Sequence, residues 1–325
     1  MNRRSLIAAA ALAVLAGASY AQAWPAKPIK LVVPFPPGGG TDAVARLVAN
    51  KLTTQTGWTI VIDNKPGAGG NLGLDAVAKA APDGYTIGLG QTANLAINPA
   101  LYSKMPFDPL KDFAAITTVA SQPVVLIVNA TSPLKTLADV VSASKAKPES
   151  LRIGLAGNGT VGHLAGEMLE RRADFKMLNV PYKGAGPAMN DLLGNQVELN
   201  FANTAAAIPQ LAGKKVRALA VSSGQRIRNV PELADVPTVA EAGYPGFDAI
   251  TWTGFVAPAG TPAPVVDRLH AEVQKVLKDP DIVAKLSAEG STAMAGGTPR
   301  QFADFIKTEH QKWGALIRDA GIKLD

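Results

Sequence analysis

Two glycine-rich loops carry the groups that could do chemistry. The first, Phe35-Pro36-Pro37-Gly38-Gly39-Gly40-Thr41-Asp42, follows a short apolar run and opens a segment of helical spacing. The first N–H groups of a helix have no internal acceptor, and the macrodipole places about half a positive charge there. Glycine lets a ligand come close to that backbone. A carboxylate or phosphate is the natural occupant, with Thr41 or Asp42 as the helix cap. Three consecutive glycines exceed what a plain turn needs. The second loop, Gly157-Asn158-Gly159-Thr160-Val161-Gly162, also joins a strand-like run to a helical one, and His163 follows it directly. Facing each other across a cleft, the two loops could hold one anion from both sides. Charge-assisted hydrogen bonds contribute about 1.5–3 kcal/mol each. Only a closed cleft makes both sets, so binding would favour closure.

Other chemistries fit poorly. The first loop has no Lys at the helix start, so it is not a nucleotide P-loop. The second formally matches Gly-x-Gly-x-x-Gly, but the next strand ends Asn179-Val180-Pro181-Tyr182-Lys183, with no acid for ribose hydroxyls. There is no Gly-x-Ser-x-Gly elbow and no His-Glu-x-x-His. The histidines are His163, His270 and His310. The last two lie on charge-rich helical stretches and read as surface residues. His163 is either a ligand contact or a structural helix-start residue. No cluster has metal-ligand spacing. No catalytic residue, metal or cofactor is expected. The enzyme alternative would need two titratable groups aimed at one substrate atom, and only His163 and Asp42 lie near the predicted cleft.

The elements that position these loops alternate strand and helix. In the first unit Ile29 to Pro34, Trp58 to Asn64 and Tyr85 to Gly90 read as strands. Thr41 to Leu52 and Asn71 to Ala81 read as helices. A second unit begins near Gln122. Its strands are Pro123 to Asn129, Leu151 to Ala156, Lys176 to Pro181, Val197 to Phe201 and Val216 to Val221. Its helices are Leu134 to Ala146, started by Thr136 and Asp139, then His163 to Arg172 and Pro187 to Leu193. Trp252 to Ala257 is a further strand, and Pro264 to Leu324 is mostly helical. This rhythm predicts α/β layers with parallel strands. The helical tail has no sheet of its own and must pack on one unit. The economical arrangement is two lobes joined by crossings near Gln122 to Asn129 and Thr251 to Pro258. Residues 24–122 with 252–325 form lobe 1, and 123–251 form lobe 2. Two independent domains in series are the alternative.

The N-terminus sets the compartment. Arg3 and Arg4 precede an apolar stretch, Leu6 to Ala18, and a small-x-small site, Ala21-Gln22-Ala23. This is the order of a cleaved signal peptide over residues 1–23, and the stretch is too short for a span of roughly 20 residues. The general secretory route is favoured over the twin-arginine route, because Asn2 and Ser5 flank the Arg pair poorly. The expected location is the periplasm. No cysteine occurs among the 325 residues, so no disulfide framework, thiolate site or lipid anchor at the mature N-terminus is expected. The formal net charge is +6, but Lys and Arg are scattered. No nucleic-acid surface is expected.

The motifs jointly resemble a known family. Pro34 to Asp42, Asp63-Asn-Lys-Pro-Gly-Ala-Gly-Gly-Asn71, Pro82-Asp-Gly-Tyr-Thr86, Ile97-Asn-Pro99 with Leu101-Tyr102, Val180-Pro-Tyr-Lys-Gly184, Asp235 to Gly243 and Ala257 to Pro262 are similar to segments of the Bug-type substrate-binding proteins of tripartite tricarboxylate transporters. The likeness runs in order along the whole mature chain. It implies a two-lobed type II periplasmic-binding-protein fold with two crossing strands, and a carboxylate held between two strand–helix turns. Those turns match Phe35, Pro37, Gly38, Gly39, Gly40, Thr41 and Asp42, and Gly157, Asn158, Gly159, Thr160 and His163. The resemblance adds Gln91, Thr92 and Asn94, then Tyr182, Lys183, Gly184 and Ala185, and Asn203. The partners it implies are a small carboxylate and the membrane subunits of a transporter. A sensing role beside a signalling partner is the alternative. A receptor that opens and closes is expected to be a monomer.

Family members often carry Phe-Asp-Asn where this chain has Phe201-Ala202-Asn203. An unpaired buried ammonium is costly, so the expected ligand is a carboxylate without an amino group. Gly39→Val is expected to block backbone approach and abolish binding while the protein stays folded. Calorimetry beside a thermal melt reads both, and normal binding would remove the first loop from the site.

Overall fold

The computed structural model describes residues 24–322. The signal segment expected at residues 1–23 lies outside the described residues. Ile29–Val33 is strand β1. Leu31 and Val33 enter one apolar cluster and Val32 another, so the strand is buried on both faces, as side chains alternating at period two allow. Helix α1, Gly40–Thr56, buries Val44, Ala45, Val48, Ala49 and Leu52, one stripe at helical spacing. Strand β2 (Ile60–Asn64), helix α2 (Asn71–Ala78) and strand β3 (Thr86–Gln91) follow. A π-turn over Ala93–Ile97 runs into the short helix α3, Asn98–Leu101.

Strand β4, Phe113–Asn129, is shared by both lobes. Helix α4, Leu137–Ala146, starts where the sequence indicates: Thr136 accepts from the Asp139 N–H and the Asp139 side chain accepts from the Thr136 N–H. Lobe 2 continues with β5 (Arg152–Leu155), α5 (Val161–Ala173), β6 (Leu178–Pro181), α6 (Ala185–Leu193), β7 (Leu199–Asn203), α7 (Thr204–Ala212) and β8 (Val216–Val221). Strand β9, Ile250–Pro258, returns to lobe 1, followed by α8 (Ala263–Lys278), α9 (Pro280–Ala288), the short β10 (Thr292–Ala293) and α10 (Pro299–Ala320).

The sheet runs β2-β1-β3-β9-β4-β7-β5-β6, with β8 and β10 also paired to β4. Pairs β1–β2, β1–β3, β5–β6 and β5–β7 are parallel; β9 is antiparallel to β3 and β4. The fold is the expected two-lobed α/β one with two crossing strands. The expected place of the crossings needs correction. Phe113 to Pro123 pairs with β9, and only from Val124 onward does β4 pair with β7 and β8. Gln122 and Pro123 therefore sit at the crossing itself, and Val124 to Asn129 is the lobe 2 part of a longer strand. The other strand crosses at its first residues, since Thr253–Val256 already pairs with β3. The earlier half of β4, rich in Ala and Thr, lacks the bulky β-branched density of Val124–Val128, so it does not read as a strand.

Helix α10 is seated on β9. The Trp252 ring meets Phe302 and Phe305 edge-on, and the Trp252 and Trp313 indole N–H groups both donate to Glu309 Oε2, at 2.9 and 3.0 Å. Phe302 lies against Gly254, and a Cβ there would overlap its ring. Gly254→Ala is expected to cost about 1–3 kcal/mol by overpacking. A lower urea midpoint at unchanged slope would show it; an unchanged midpoint would mean the ring is not seated as described.

Candidate functional site

Parallel strands point their carboxyl ends the same way, and the helices that follow begin there. Strands β1, β5 and β6 thus deliver the amino ends of α1, α5 and α6 to one cleft between the lobes. Counted together with the solvent at its mouth, the cleft spans ≈ 590 Å³ of atom-free space. Its walls include Phe35, Pro36, Pro37, Gly39, Gly40 and Thr41 from lobe 1, and Thr160, Val161 and Gly162 from the start of α5. Ala185, Gly186 and Pro187 line it from the start of α6. Gln91, Ala156, Phe201, Asn203 and Thr251 complete it from strand ends. None of these side chains carries a charge.

The positive potential comes from backbone. Helix α1 has Gly39 as N-cap and no side-chain cap. Its first internal bond is from Ala43 N–H to Gly39 O at 3.0 Å, which leaves the Gly40, Thr41 and Asp42 amides ahead of it without a helical acceptor. In α5, Thr160 Oγ accepts from His163 N–H, and Leu164 N–H bonds Thr160 O. The Val161 and Gly162 amides lie before these, and both residues line the cleft. Helix α6 starts at Gly184, again without a side-chain cap. Gln91 Nε2 donates to Thr41 Oγ at 2.7 Å, which fixes two neutral polar groups in the wall.

Nine of the residues expected in the site line the cleft: Phe35, Pro37, Gly39, Gly40, Thr41, Gln91, Thr160, Ala185 and Asn203. The others are not part of its wall, and most of them are held by neighbours. Asp42 turns away from the cleft. Its carboxylate accepts from Gly38 N–H (3.0 Å), Arg46 Nε (2.8 Å) and Asn64 Nδ2 (2.9 Å). Gly38 reaches that bond with a positive φ of 83°, a conformation that suits glycine. Burial alone would raise the Asp42 carboxyl, but the bonds from Arg46, Gly38 and Asn64 outweigh it and hold it below the usual range. Thr92 Oγ accepts from Trp252 N–H at 2.8 Å and ties β3 to β9, and Asn94 Oδ1 accepts from Gln91 N–H at 2.9 Å.

In lobe 2, Gly157 O accepts from Thr160 Oγ, and Gly159 N–H donates to His163 Nδ1 at 3.2 Å. Asn158 and Gly159 pack on Gly69 and Asn98 of lobe 1. The Tyr182 hydroxyl donates to Asp191 at 2.6 Å; burial, with that bond and the aspartate charge, pushes it up to about 12. Lys183 is exposed, and Gly184 packs on Pro36. Pro36, Val161, Gly162 and Gly186 of the wall lie within the expected loops, and sequence reasoning missed Ala156, Pro187, Phe201 and Thr251. Pro187 was reachable by extending the third loop into its helix start. Phe201 and Thr251 arrive through strand pairing, which leaves no local motif.

Residues 44–322 match the family model described as tripartite tricarboxylate transporter family receptor. The chain belongs to this family. It is 37% identical to Protein BugT of Bordetella pertussis (strain Tohama I) over 315 residues, 97% of this chain and 95% of that one. Among solved structures, R. palustris Rpa4515 with adipate has a TM-score of 0.88 at 35% identity, covering 93% of this chain and 100% of that one. MatC (Rpa3494) from Rhodopseudomonas palustris with bound malate has a TM-score of 0.85 at 34% identity, covering 90% and 100%.

Asp42 holds the first loop in shape, so its protonation should loosen this receptor in acid. A carboxyl lowered by folding stabilises the protein above its unfolded pKa, and that contribution is lost as pH falls through the folded value. Wild type is expected to lose stability below about pH 4, and Asp42→Asn to flatten that part of the profile after an initial loss of about 1–3 kcal/mol. Urea unfolding across pH reads this, and parallel profiles would contradict it.

Proposed function

We propose that this chain is a periplasmic receptor that captures a small organic carboxylate between its lobes and delivers it to the membrane subunits of a tripartite tricarboxylate-type transporter. Residues 24–122 with 252–325 make one lobe and 123–251 the other, and the receptor acts as a monomer. The convergence of helix starts from both lobes on an uncharged cleft carries this reading. Anion affinity from backbone amides and helix dipoles needs no cationic side chain. No helix among the described residues is long and apolar enough to cross a membrane, which suits a receptor that hands its cargo to separate membrane subunits.

The wall offers no carboxylate to an ammonium group, which favours acids without an amino group; adipate and malate, bound by the two solved relatives, are of that kind. The same lining lacks the paired titratable groups that acid–base catalysis needs. The receptor is therefore proposed to release its ligand unchanged. Native mass spectrometry of the gently purified mature protein, followed by calorimetry with adipate and malate, tests the proposal. The expected result is one carboxylate per chain, recovered with its mass unaltered. A bound neutral solute would overturn the reading, a bound zwitterion would overturn the amino-free specificity, and turnover of the bound acid would overturn the receptor role.

A further inference from the structure

His163 is 3% exposed and does not line the cleft. Its Nδ1 accepts from Gly159 N–H at 3.2 Å, so the ring is neutral there and carries its proton on Nε2. Nε2 faces Glu167 Oε1 at 3.7 Å, one helical turn on. From β6, Asn179 Nδ2 donates to that same oxygen at 2.9 Å. The Glu167 carboxyl is held below its usual range chiefly by its contact with His163, against burial, with the Asn179 bond and the charge of Lys176, which pairs with Glu170 at 3.2 Å, adding to it. From lobe 1, Asn98 gives its Nδ2 to Gly69 O and Asn71 Oδ1, which turns its unpartnered Oδ1 onto Gly159. Tyr102 lies beside Gly69, its hydroxyl raised by burial. Gly159 is therefore gripped on one side by His163 and touches the opposite lobe on the other.

We propose that His163 is a pH-read positioning residue: neutral, it holds Gly159 and with it the second loop in the shape that closes on ligand, and protonated, it lets that loop go. A proton on Nδ1 would point at the Gly159 N–H, donor against donor, and the bond must break. Glu167 makes protonation possible inside the protein, because it meets the imidazolium with an opposite charge. The neutral ring makes both contacts, Nε2–H toward Glu167 and Nδ1 accepting from Gly159; a second proton, on Nδ1, keeps the first and breaks the second, and pH decides between these states. Capture is then firm in neutral medium and weaker in mildly acidic medium. This rests on the carboxylate-receptor reading for its role, but the device itself can be measured without ligand.

The test uses the ¹⁵N-labelled mature protein, free of ligand, between about pH 8 and about pH 5.5, the span in which imidazoles titrate. The His163 ring signals are expected to report a proton on Nε2 alone at the upper end. As the ring takes its second proton, the Gly159 amide should lose about fivefold of its exchange protection beyond the intrinsic pH effect, the worth of one hydrogen bond. Glu167→Gln should move that response to lower pH. His163→Asn keeps an acceptor near the Nδ1 position that does not titrate, and should abolish the response. A ring that stays neutral throughout, or one that titrates while Gly159 stays protected, overturns the proposal. With adipate and malate as probes, wild type should bind whichever it takes about fivefold more weakly at pH about 6 than at about 8. His163→Asn should remove that difference, which also corrects for titration of the acids themselves. Equal affinity at both values in wild type overturns it. Failure of both acids to bind at the upper pH counts against the carboxylate reading, and the Gly159 measurement still decides this one.

Discussion

The whole arrangement depends on backbone N–H groups left without acceptors at the starts of helices. Such groups need a partner, and burying them unpaired is costly. Here the Gly40–Thr41 and Val161–Gly162 amides are brought from opposite lobes to one cleft whose side chains carry no charge. A cleft lined by lysine or arginine would attract anions of many shapes. A cleft lined by fixed amides instead favours an oxyanion at one place, because the donors cannot move to follow it. The cationic side chains nearest by sequence are directed elsewhere: Arg46 holds Asp42, and Lys183 faces solvent.

Closure follows from how the two lobes are joined and where they touch. Strands β4 and β9 cross together, and Gln122 lies in that crossing with its amide against Gly40 of α1 and its Oε1 accepting from Thr204 of α7 at 3.4 Å. Beside the cleft, glycines bring the lobes close: Gly184 on Pro36, Gly69 on Asn158, Gly159 on Asn98. A Cβ at Gly184 would come within 2.7 Å of Pro36. These contacts let backbone approach backbone, which an arrangement of helix ends around one small anion requires.

Much of this was legible in the chain. The glycine loops announce themselves because they sit between an apolar run and a helical stripe, and the capping residues Thr136 and Asp139 do what their spacing says. The Pro123–Asn129 strand and the helical tail were equally plain. Orientation was not. Asp42 and His163 stand at helix starts, and their types are the same whether they face a ligand or brace their own loop. Only the positions of Arg46, Asn64 and Gly159 separate those cases. Thr251 and Phe201 reach the cleft by pairing across distant parts of the chain, which local periodicity does not encode. The first half of β4 was hidden because its Ala and Thr residues fit a sheet only through their neighbours.

The most direct measurement is a crystal structure of the mature protein with its carboxylate bound. The predicted result is one carboxylate within about 3 Å of amide groups from both the Gly40–Thr41 and the Val161–Gly162 starts, directly or through one ordered water, with the lobes closed over it. A ligand held by one lobe alone, or by a lysine or arginine side chain swung into the cleft, would contradict the account.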